Sequence, residues 1–236
     1  INEVSLDWTI IPKEEIKAEG QKAEPVAGGF KKIDTLSVLL VAIHNETLRQ
    51  YQNLVAKTGL DANFFEIEIF SSIRSNFEHE LSLVLLMDFG ASRTKLSLVE
   101  FGMVKSYHTI NRGGADITES ISKSMSVPFA KAEELKKEFG LMDNPDQKAL
   151  AGIIKTHVDY IFSEANNVIL GHGKKYNQTI SKVILTGGGS LMKGLKEMAA
   201  TNFRTDVEIG HPFSKVGAPG FLEKVFEATG PEFAIA

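Results

Sequence analysis

Residues 81–110, LSLVLLMDFGASRTKLSLVEFGMVKSYHTI, decide how the chain is read. Leu81–Met87 is an apolar run well short of the roughly 20 residues a membrane helix needs, and a polar break bounds it, so it predicts a buried strand. The run ends on Asp88-Phe89-Gly90, and the small polar segment Ala91-Ser92-Arg93-Thr94 follows. Lys95–Glu100 alternates apolar and polar as a second strand, Phe101-Gly102 turns, and Val104–Ile110 returns as a third. An acid at the tip of a buried strand, followed by glycine and hydroxyl residues, suits a phosphate and Mg²⁺ station. Glycine lets backbone N–H groups approach an anion, and the carboxylate holds the metal directly or through water. The same residues also suit an ordinary hairpin turn in which Asp and Gly serve only the backbone. On this segment alone both readings stand.

The totals narrow the field. At 236 residues the chain has room for one large or two ordinary domains of about 150 residues each. With 43% hydrophobic and 24% charged residues the composition is that of a soluble globular protein. A net charge of -4 argues against a nucleic-acid binder that relies on phosphate neutralisation. With no cysteine, neither a disulfide nor a thiolate metal site can form. No apolar run reaches membrane-spanning length, and INEVSLDW has no basic-then-apolar signal pattern. The chain begins without Met and stops within GPEFAIA, and it is read as a piece of a longer protein.

Along the chain, Asn2–Ile11 alternates and predicts an edge strand, and Pro12–Lys32, with Pro25 and Gly28-Gly29, predicts a mobile connection. Leu36–Ile43, LSVLLVAI, predicts a short buried strand. Asn45 is placed as the N-cap of a helix with Leu48, Tyr51, Leu54 and Val55 on one face and Gly59 as its stop. Ala62–Ile69 predicts a strand carrying Glu66 and Glu68 on one face, with Glu68 at its junction to a helix. His44 has no second ligand at metal spacing and reads as structural. Arg112-Gly113-Gly114 precedes a helix over 115–125. Its glycine pair either offers N–H groups to a phosphate or makes a tight strand-to-helix turn. Pro128 opens a helix in which Glu133 is spaced to pair with Lys136 and Lys137.

Asp146–His172 predicts a long helix with a stripe from Leu150 to Ile169 that includes a packed His157, ending at Gly171-His172-Gly173. Thr179–Leu185 predicts a buried strand running into Thr186-Gly187-Gly188-Gly189-Ser190, then a helix over 191–202 and a strand over 206–209. Strand, glycine-rich turn and helix present backbone to a nucleotide at a sheet edge. The triplet matches neither G-x-G-x-x-G nor a P-loop. A loop of about 18 residues follows from His211, and a final helix begins at Pro231.

Taken in order, these stretches resemble the actin-like ATPase superfamily, the ribonuclease H-like fold of actin, Hsp70 and sugar kinases, and within it the PilM family of type IV pilus assembly and its relative FtsA. Asp88–Ser97 resembles the second phosphate loop. Asn111–Thr118 resembles the Gly-Gly turn after the meander. Ala132-Glu133-Glu134-Leu135-Lys136 is similar to the family's Ala-Glu-x-x-Lys, and Thr186–Leu191 is similar to the adenosine loop. Leu39–Leu60 resembles the extra subdomain of PilM and FtsA, and Gly230–Ala236 the first turn of a helix that closes the cleft.

The resemblance implies an α/β chain. Residues 1–61 are its small PilM/FtsA-type subdomain, 62–80 a strand-helix linker of the first lobe, 81–210 the second lobe, and 211–236 a return to the first. It implies ATP with Mg²⁺ in the intact protein: Asp88 at the metal, Gly90, Ala91 and Ser92 as phosphate donors, and Gly113 and Gly114 at the second turn. Glu133 and Lys136 approach ribose and base, and Gly187, Gly188 and Gly189 lie under the adenosine. Glu68 aligns with the acid that positions water in active relatives, although Ile69 stands where the family often has Pro or Ala.

The superfamily's first phosphate loop, another Asp-x-Gly hairpin, has no counterpart before Leu39. Losing its donors, each charge-assisted hydrogen bond being worth roughly 1.5–3 kcal/mol, predicts that this chain alone binds ATP poorly and hydrolyses it negligibly. The intact protein is expected to be at most a slow ATPase. The implied partner is the cytoplasmic tail of a PilN-like inner-membrane protein, bound through the first lobe. The expected location is cytoplasmic, at the inner membrane face and peripheral through that partner, with self-association open and no nucleic acid. An FtsA-like division tether, a small-molecule kinase on the same fold and a non-hydrolysing scaffold are the alternatives.

Overall fold

The computed structural model describes residues 3–11, 36–78, 80–142 and 144–235. The expected connection over Pro12–Lys32 lies outside them. Two compact units are formed, Ile1–Phe65 and Glu66–Ala236.

In the first unit, β1 (Val4–Ile11) pairs antiparallel with β2 (Ser37–His44), Trp8 opposite Leu40, and α1 (Asn45–Thr58) follows. The strand expected over 36–43 forms, but it is not buried. Alternation puts Leu6, Trp8, Ile10, Val38 and Leu40 on one face, and all five are exposed. Among the described residues, a two-stranded ribbon with one short helix has no second layer to cover that face. Gly59 ends α1 at φ 68° as expected, but Asn45 is the first helical residue rather than its cap. The Asn45 N–H donates to the Glu3 carbonyl at 2.9 Å and its Oδ1 accepts from the Ser5 hydroxyl at 2.5 Å, which ties the helix start to β1. The strand expected over 62–69 is absent. Residues 60–67 pair with no neighbouring strand, and α2 (Glu68–Asn76) begins at the expected junction residue. Glu66 and Glu68 therefore share no strand face.

The second unit holds a five-stranded sheet. Its strands are β3 (Val84–Phe89), β4 (Thr94–Glu100), β5 (Met103–Ile110), β6 (Lys182–Thr186) and β7 (Asp206–Ile209), in the order β5-β4-β3-β6-β7. The first three are the expected antiparallel meander, and β6 and β7 run parallel to β3. Phe101 at φ 51° and Gly102 at φ 71° form the left-handed two-residue turn that matches strand twist. The helices are α3 (Gly114–Met125), α4 (Phe129–Phe139), α5 (Lys148–Tyr176), α6 (Leu195–Phe203) and α7 (Glu223–Thr229).

β3 lies at the centre and is apolar on both faces because both are covered. Leu85, Met87 and Phe89 enter a core with Ile117, Ile154 and Leu195 of the long helices. Val84 and Leu86 enter a second core with Ile73 and Phe77, at and just beyond the end of α2.

Several boundaries differ from expectation. α5 runs through Gly171-His172-Gly173 to Tyr176, because His172 is buried, bonds Gln178 at 3.1 Å and packs its ring against Tyr176 at 4.6 Å. The helix after the glycine triplet starts only at Leu195, since Gly188–Leu191 forms a 3₁₀ turn and Gly194 at φ 80° redirects the chain. The stretch after His211 is not all loop: α7 lies within it and stacks Phe226 on Phe213 at 4.4 Å. Gly230–Phe233, expected to open a helix, is a 3₁₀ turn. His157 is half-buried, its Nε2 2.8 Å from the Ser120 hydroxyl, in keeping with a packed role.

Candidate functional site

The parallel register that sets Asp88 beside Thr186 brings the β3–β4 turn and the glycine triplet out of the sheet side by side. Phe89 wedges between them. A Cβ on Gly189 would lie 2.7 Å from its ring, and one on Gly187, which stands at φ 79°, would run into the Asp88 carboxylate. The Gly187 N–H donates to the Pro231 carbonyl at 2.8 Å, pinning the C-terminal 3₁₀ turn over the triplet.

At the start of α3 the glycine pair makes a tight turn, not a free anion cradle. The N–H groups of Gly114 and Ala115 donate to the carbonyls of Gly90 and Ala91 at 2.9 and 2.7 Å, and that of Gly113 to Asp116 at 2.9 Å. These bonds fix the shape of the β3–β4 turn. They leave no protein acceptor on the N–H groups of Ala91, Gly188 and Gly189 among the described residues.

Those groups face a cleft of about 500 Å³ lined by Gly90, Ala91, Gly114, Ala115, Phe129, Glu133, Lys136, Lys137, Gly188, Gly189, Leu191, Met192 and Glu232. Seven residues expected at a nucleotide thus meet in one cavity: Gly90, Ala91, Gly114, Glu133, Lys136, Gly188 and Gly189. Gly113 and Gly187 stand behind it as packing positions, and Ser92 is not part of its lining.

Lys136 is buried, and its ammonium donates to the Gly114 carbonyl at 2.9 Å, the Thr118 hydroxyl at 2.8 Å and Glu133 at 2.7 Å. Burial pushes the Glu133 carboxyl up, but hydrogen bonds from Lys136 and Thr118 outweigh it and hold the group below the usual carboxylate range. The expected second pair, Glu133 with Lys137, spans 3.8 Å. Leu191 closes the stretch read as the adenosine loop, whereas Phe129, Met192 and Glu232 were not singled out in the sequence. Of these three only Glu232 carried a signal, since it follows the Gly-Pro step of the segment read as closing the cleft.

Asp88 and Glu68 lie elsewhere. Strand alternation turns Asp88 to the same sheet face as Val84 and Leu86, the face that α2 covers. Lys95 is its direct partner across the β3–β4 ladder, and the Lys95 ammonium lies 2.5 Å from Glu68 Oε1 and 3.9 Å from Asp88 Oδ2. These three line a crevice of about 10 Å³ with Ser72, Ser97 and Tyr107, too small for more than a water-sized guest. Burial pushes the Asp88 carboxyl above the usual range, Lys95 opposes that, and Glu68 adds to it.

The large cleft fits a nucleotide in volume and in donor chemistry: unpaired backbone N–H groups, a glycine floor and an apolar wall. For Mg²⁺ the match is narrower. No group of three His, Asp or Glu residues forms a metal site among the described residues, and the two acids that could serve share a lysine.

The family "Type IV pilus assembly protein PilM" matches residues 1–236. The solved PilM–PilN type IV pilus biogenesis complex resembles 98% of this chain and 64% of its own, with a TM-score of 0.77 and 20% identity. MreB5 of Spiroplasma citri bound to AMPPNP resembles 78% of this chain and 66% of its own, with a TM-score of 0.61 and 14% identity. Cell division protein FtsA of Neisseria meningitidis is 24% identical over 213 residues, which cover 80% of this chain and 51% of that protein. FtsA of Pseudomonas aeruginosa is 24% identical over 204 residues, 76% of this chain and 48% of that protein. The chain spans about half the length of these curated relatives. The structural likenesses place the fold among the actin-like ATPases.

Proposed function

The chain belongs to the PilM family of type IV pilus assembly proteins, and from that premise we propose that it is an ATP-binding, actin-like assembly component whose nucleotide cleft lies between the β3–β4 turn and the glycine triplet. The observation that carries this reading is the cleft of about 500 Å³, where residues from five separate stretches of sequence converge with unpaired N–H groups. In it, Ala91, Gly188 and Gly189 donate to phosphate and ribose oxygens. Glu133, kept ionised by Lys136, accepts from ribose hydroxyls or the base edge. Asp88 is the residue nearest in chemistry to a Mg²⁺ ligand, but Lys95 already stands 3.9 Å from its carboxylate and the residues present do not fit the metal.

In the intact protein the partner is the cytoplasmic tail of a PilN-type inner-membrane protein, held through the first lobe, and nucleotide occupancy sets the affinity for that tail. The likeness to a PilM solved with PilN supports this choice of partner. Among the described residues no helix is long and apolar enough to cross a membrane, in keeping with attachment at the inner membrane face through the partner. Glu68 is the candidate for positioning attacking water. Its carboxylate is already engaged by Lys95, so turnover is slow at most.

Gly188→Val in the full-length protein tests the reading. The nearest atoms to a Cβ at Gly188 belong to the Glu232 side chain, from 3.6 Å, so the variant has room at its Cβ and projects its methyls toward the cleft; circular dichroism of the variant checks that the fold is kept. ATP affinity measured by calorimetry should fall at least about tenfold, close to 1.4 kcal/mol, and binding of a PilN-type tail peptide should lose its response to ATP. Unchanged ATP affinity would remove the nucleotide from this cleft. Unchanged, ATP-independent tail binding would leave a scaffold.

A further inference from the structure

We propose that Lys95 is the resident cation of the small crevice behind the nucleotide cleft, its ammonium standing between Glu68 and Asp88 in the place where two bare carboxylates would call for a divalent metal. The proposal rests on the nucleotide reading above and concerns what the neighbouring cleft then asks of its ligand: with no metal seat at Asp88, a polyphosphate whose binding does not depend on Mg²⁺.

Three elements bring the charges together. The antiparallel register of β3 and β4 sets Lys95 opposite Asp88, and Glu68 is the first residue of α2, which covers that face of the sheet. The ammonium is 2.5 Å from one carboxylate and 3.9 Å from the other, and both Lys95 and Asp88 are largely shielded from water. The remaining polar neighbours, Ser72, Ser97 and Tyr107, are neutral hydroxyls and supply no second cation.

Two carboxylates and no cation would carry a charge of −2 in a poorly solvated crevice, a strong pull on any divalent ion. With Lys95 the net charge is −1, and an entering Mg²⁺ must first break a charge-assisted hydrogen bond. A crevice of about 10 Å³ also leaves no room for the several waters that Mg²⁺ keeps. Lys95 was not singled out in the sequence, where it reads as the polar half of an alternating strand.

The test has two arms on the same protein. In the first, Mn²⁺ alone is titrated into nucleotide-free wild type, Lys95→Met and Lys95→Arg and followed by electron paramagnetic resonance. In the second, a fluorescent ATP analogue is bound in excess Mg²⁺ or in EDTA. We expect Lys95→Met to bind Mn²⁺ at least about tenfold more tightly than wild type, and Lys95→Arg to behave as wild type. We expect wild-type affinity for the analogue to change less than about threefold on chelation, and that of Lys95→Met to become metal-dependent.

Equal Mn²⁺ binding by wild type and Lys95→Met, or collapse of wild-type analogue binding in EDTA, overturns the role of Lys95 and leaves the nucleotide cleft standing. Absence of analogue binding under both conditions fails the nucleotide reading instead, and the Mn²⁺ arm then judges Lys95 alone. Should Lys95→Met not fold, the chelation result on wild type decides.

Discussion

Two segments of this chain begin almost alike, LSVLLVAI at 36–43 and LSLVLLMD at 81–88, and end in opposite environments. In the second, Leu85 and Leu86 are 0% and 1% exposed, one on each face of the sheet. In the first, Val38 and Leu40 are 47% and 62% exposed. The difference lies outside the two segments. β3 has β4 and β6 as neighbours, a core shared with four helices, α3 to α6, on one face and α2 against the other, whereas among the described residues β2 has one partner strand and one helix. An apolar run states what a strand could bury. The elements around it decide what it does bury.

The largest expected effect breaks or keeps that contrast. Leu86→Ala should cost about 2–5 kcal/mol, the transfer energy plus the cavity left between α2 and the sheet. Leu40→Ala should cost under about 0.5 kcal/mol, as an exposed position does. Urea unfolding separates the two, since Trp8, the one tryptophan, reports on the first unit by fluorescence while far-ultraviolet circular dichroism is dominated by the long helices of the second. A Leu40→Ala cost near that of Leu86→Ala would mean that the exposed face of β1 and β2 is covered in solution.

The glycine triplet offers a second contrast, between neighbours of one type. Gly189→Ala should lose about 1–3 kcal/mol, because a methyl 2.7 Å from both the Phe89 ring and its carbonyl must push β3 aside. Gly188→Ala, with 3.6 Å to its nearest neighbour, should melt within about a degree of wild type. Equal melting temperatures for the two variants would show that Phe89 does not wedge the loops apart.

A smaller effect distinguishes the acid in the large cleft by its pH dependence. The Glu133 carboxyl titrates lower in the folded chain than in the unfolded one, so its stabilisation is present above the unfolded value and fades as pH falls through the folded value. Glu133→Gln should therefore be less stable than wild type by about 1 kcal/mol near neutrality, given two hydrogen bonds discounted for partial exposure. The two proteins should converge in acid, below the ordinary carboxylate range of about 4. A gap that persists there would assign the loss to packing rather than to charge.

What the sequence disclosed of this site follows the range of the interactions involved. The meander, the buried strand expected over 179–185 and found at 182–186, and the strand at 206–209 were legible because alternation and turn residues are local, whereas the parallel direction of that strand was not read. Asp88 and the glycines were visible as residue types at fixed spacings, Glu133 and Lys136 only through the family resemblance, since their spacing alone reads as an ion-paired helix face. The sequence did not disclose that Asp88 and Gly90, two positions apart, serve different cavities, since that follows from the side of the sheet each faces. Nor did it disclose Lys95 between the acids, which needs the β3–β4 register and the placement of α2 together. Residues 62–69 misled for a related reason. ANFFEIEI alternates like a strand, but pairing needs a neighbour, and none stands beside it among the described residues.

The smallest effect sharpens the one helix boundary that the residues themselves argued against. Glycine at 171 and 173 reads as a helix stop, and glycine after a helix commonly takes the left-handed conformation in which alanine is strained. In the fold the helix passes through both, neither has a positive φ, and the left-handed residue is Asn177 at φ 54°. An added methyl at Gly171 meets nothing within 4 Å, so Gly171→Ala should stabilise by about 0.5–1 kcal/mol through backbone entropy alone. At Gly173 a methyl would lie 3.0 Å from the Gln178 carbonyl, and that contact should cancel the gain. A gain at 171 without one at 173 places the end of the helix at Tyr176. A loss at 171 would return it to where the glycines alone had put it.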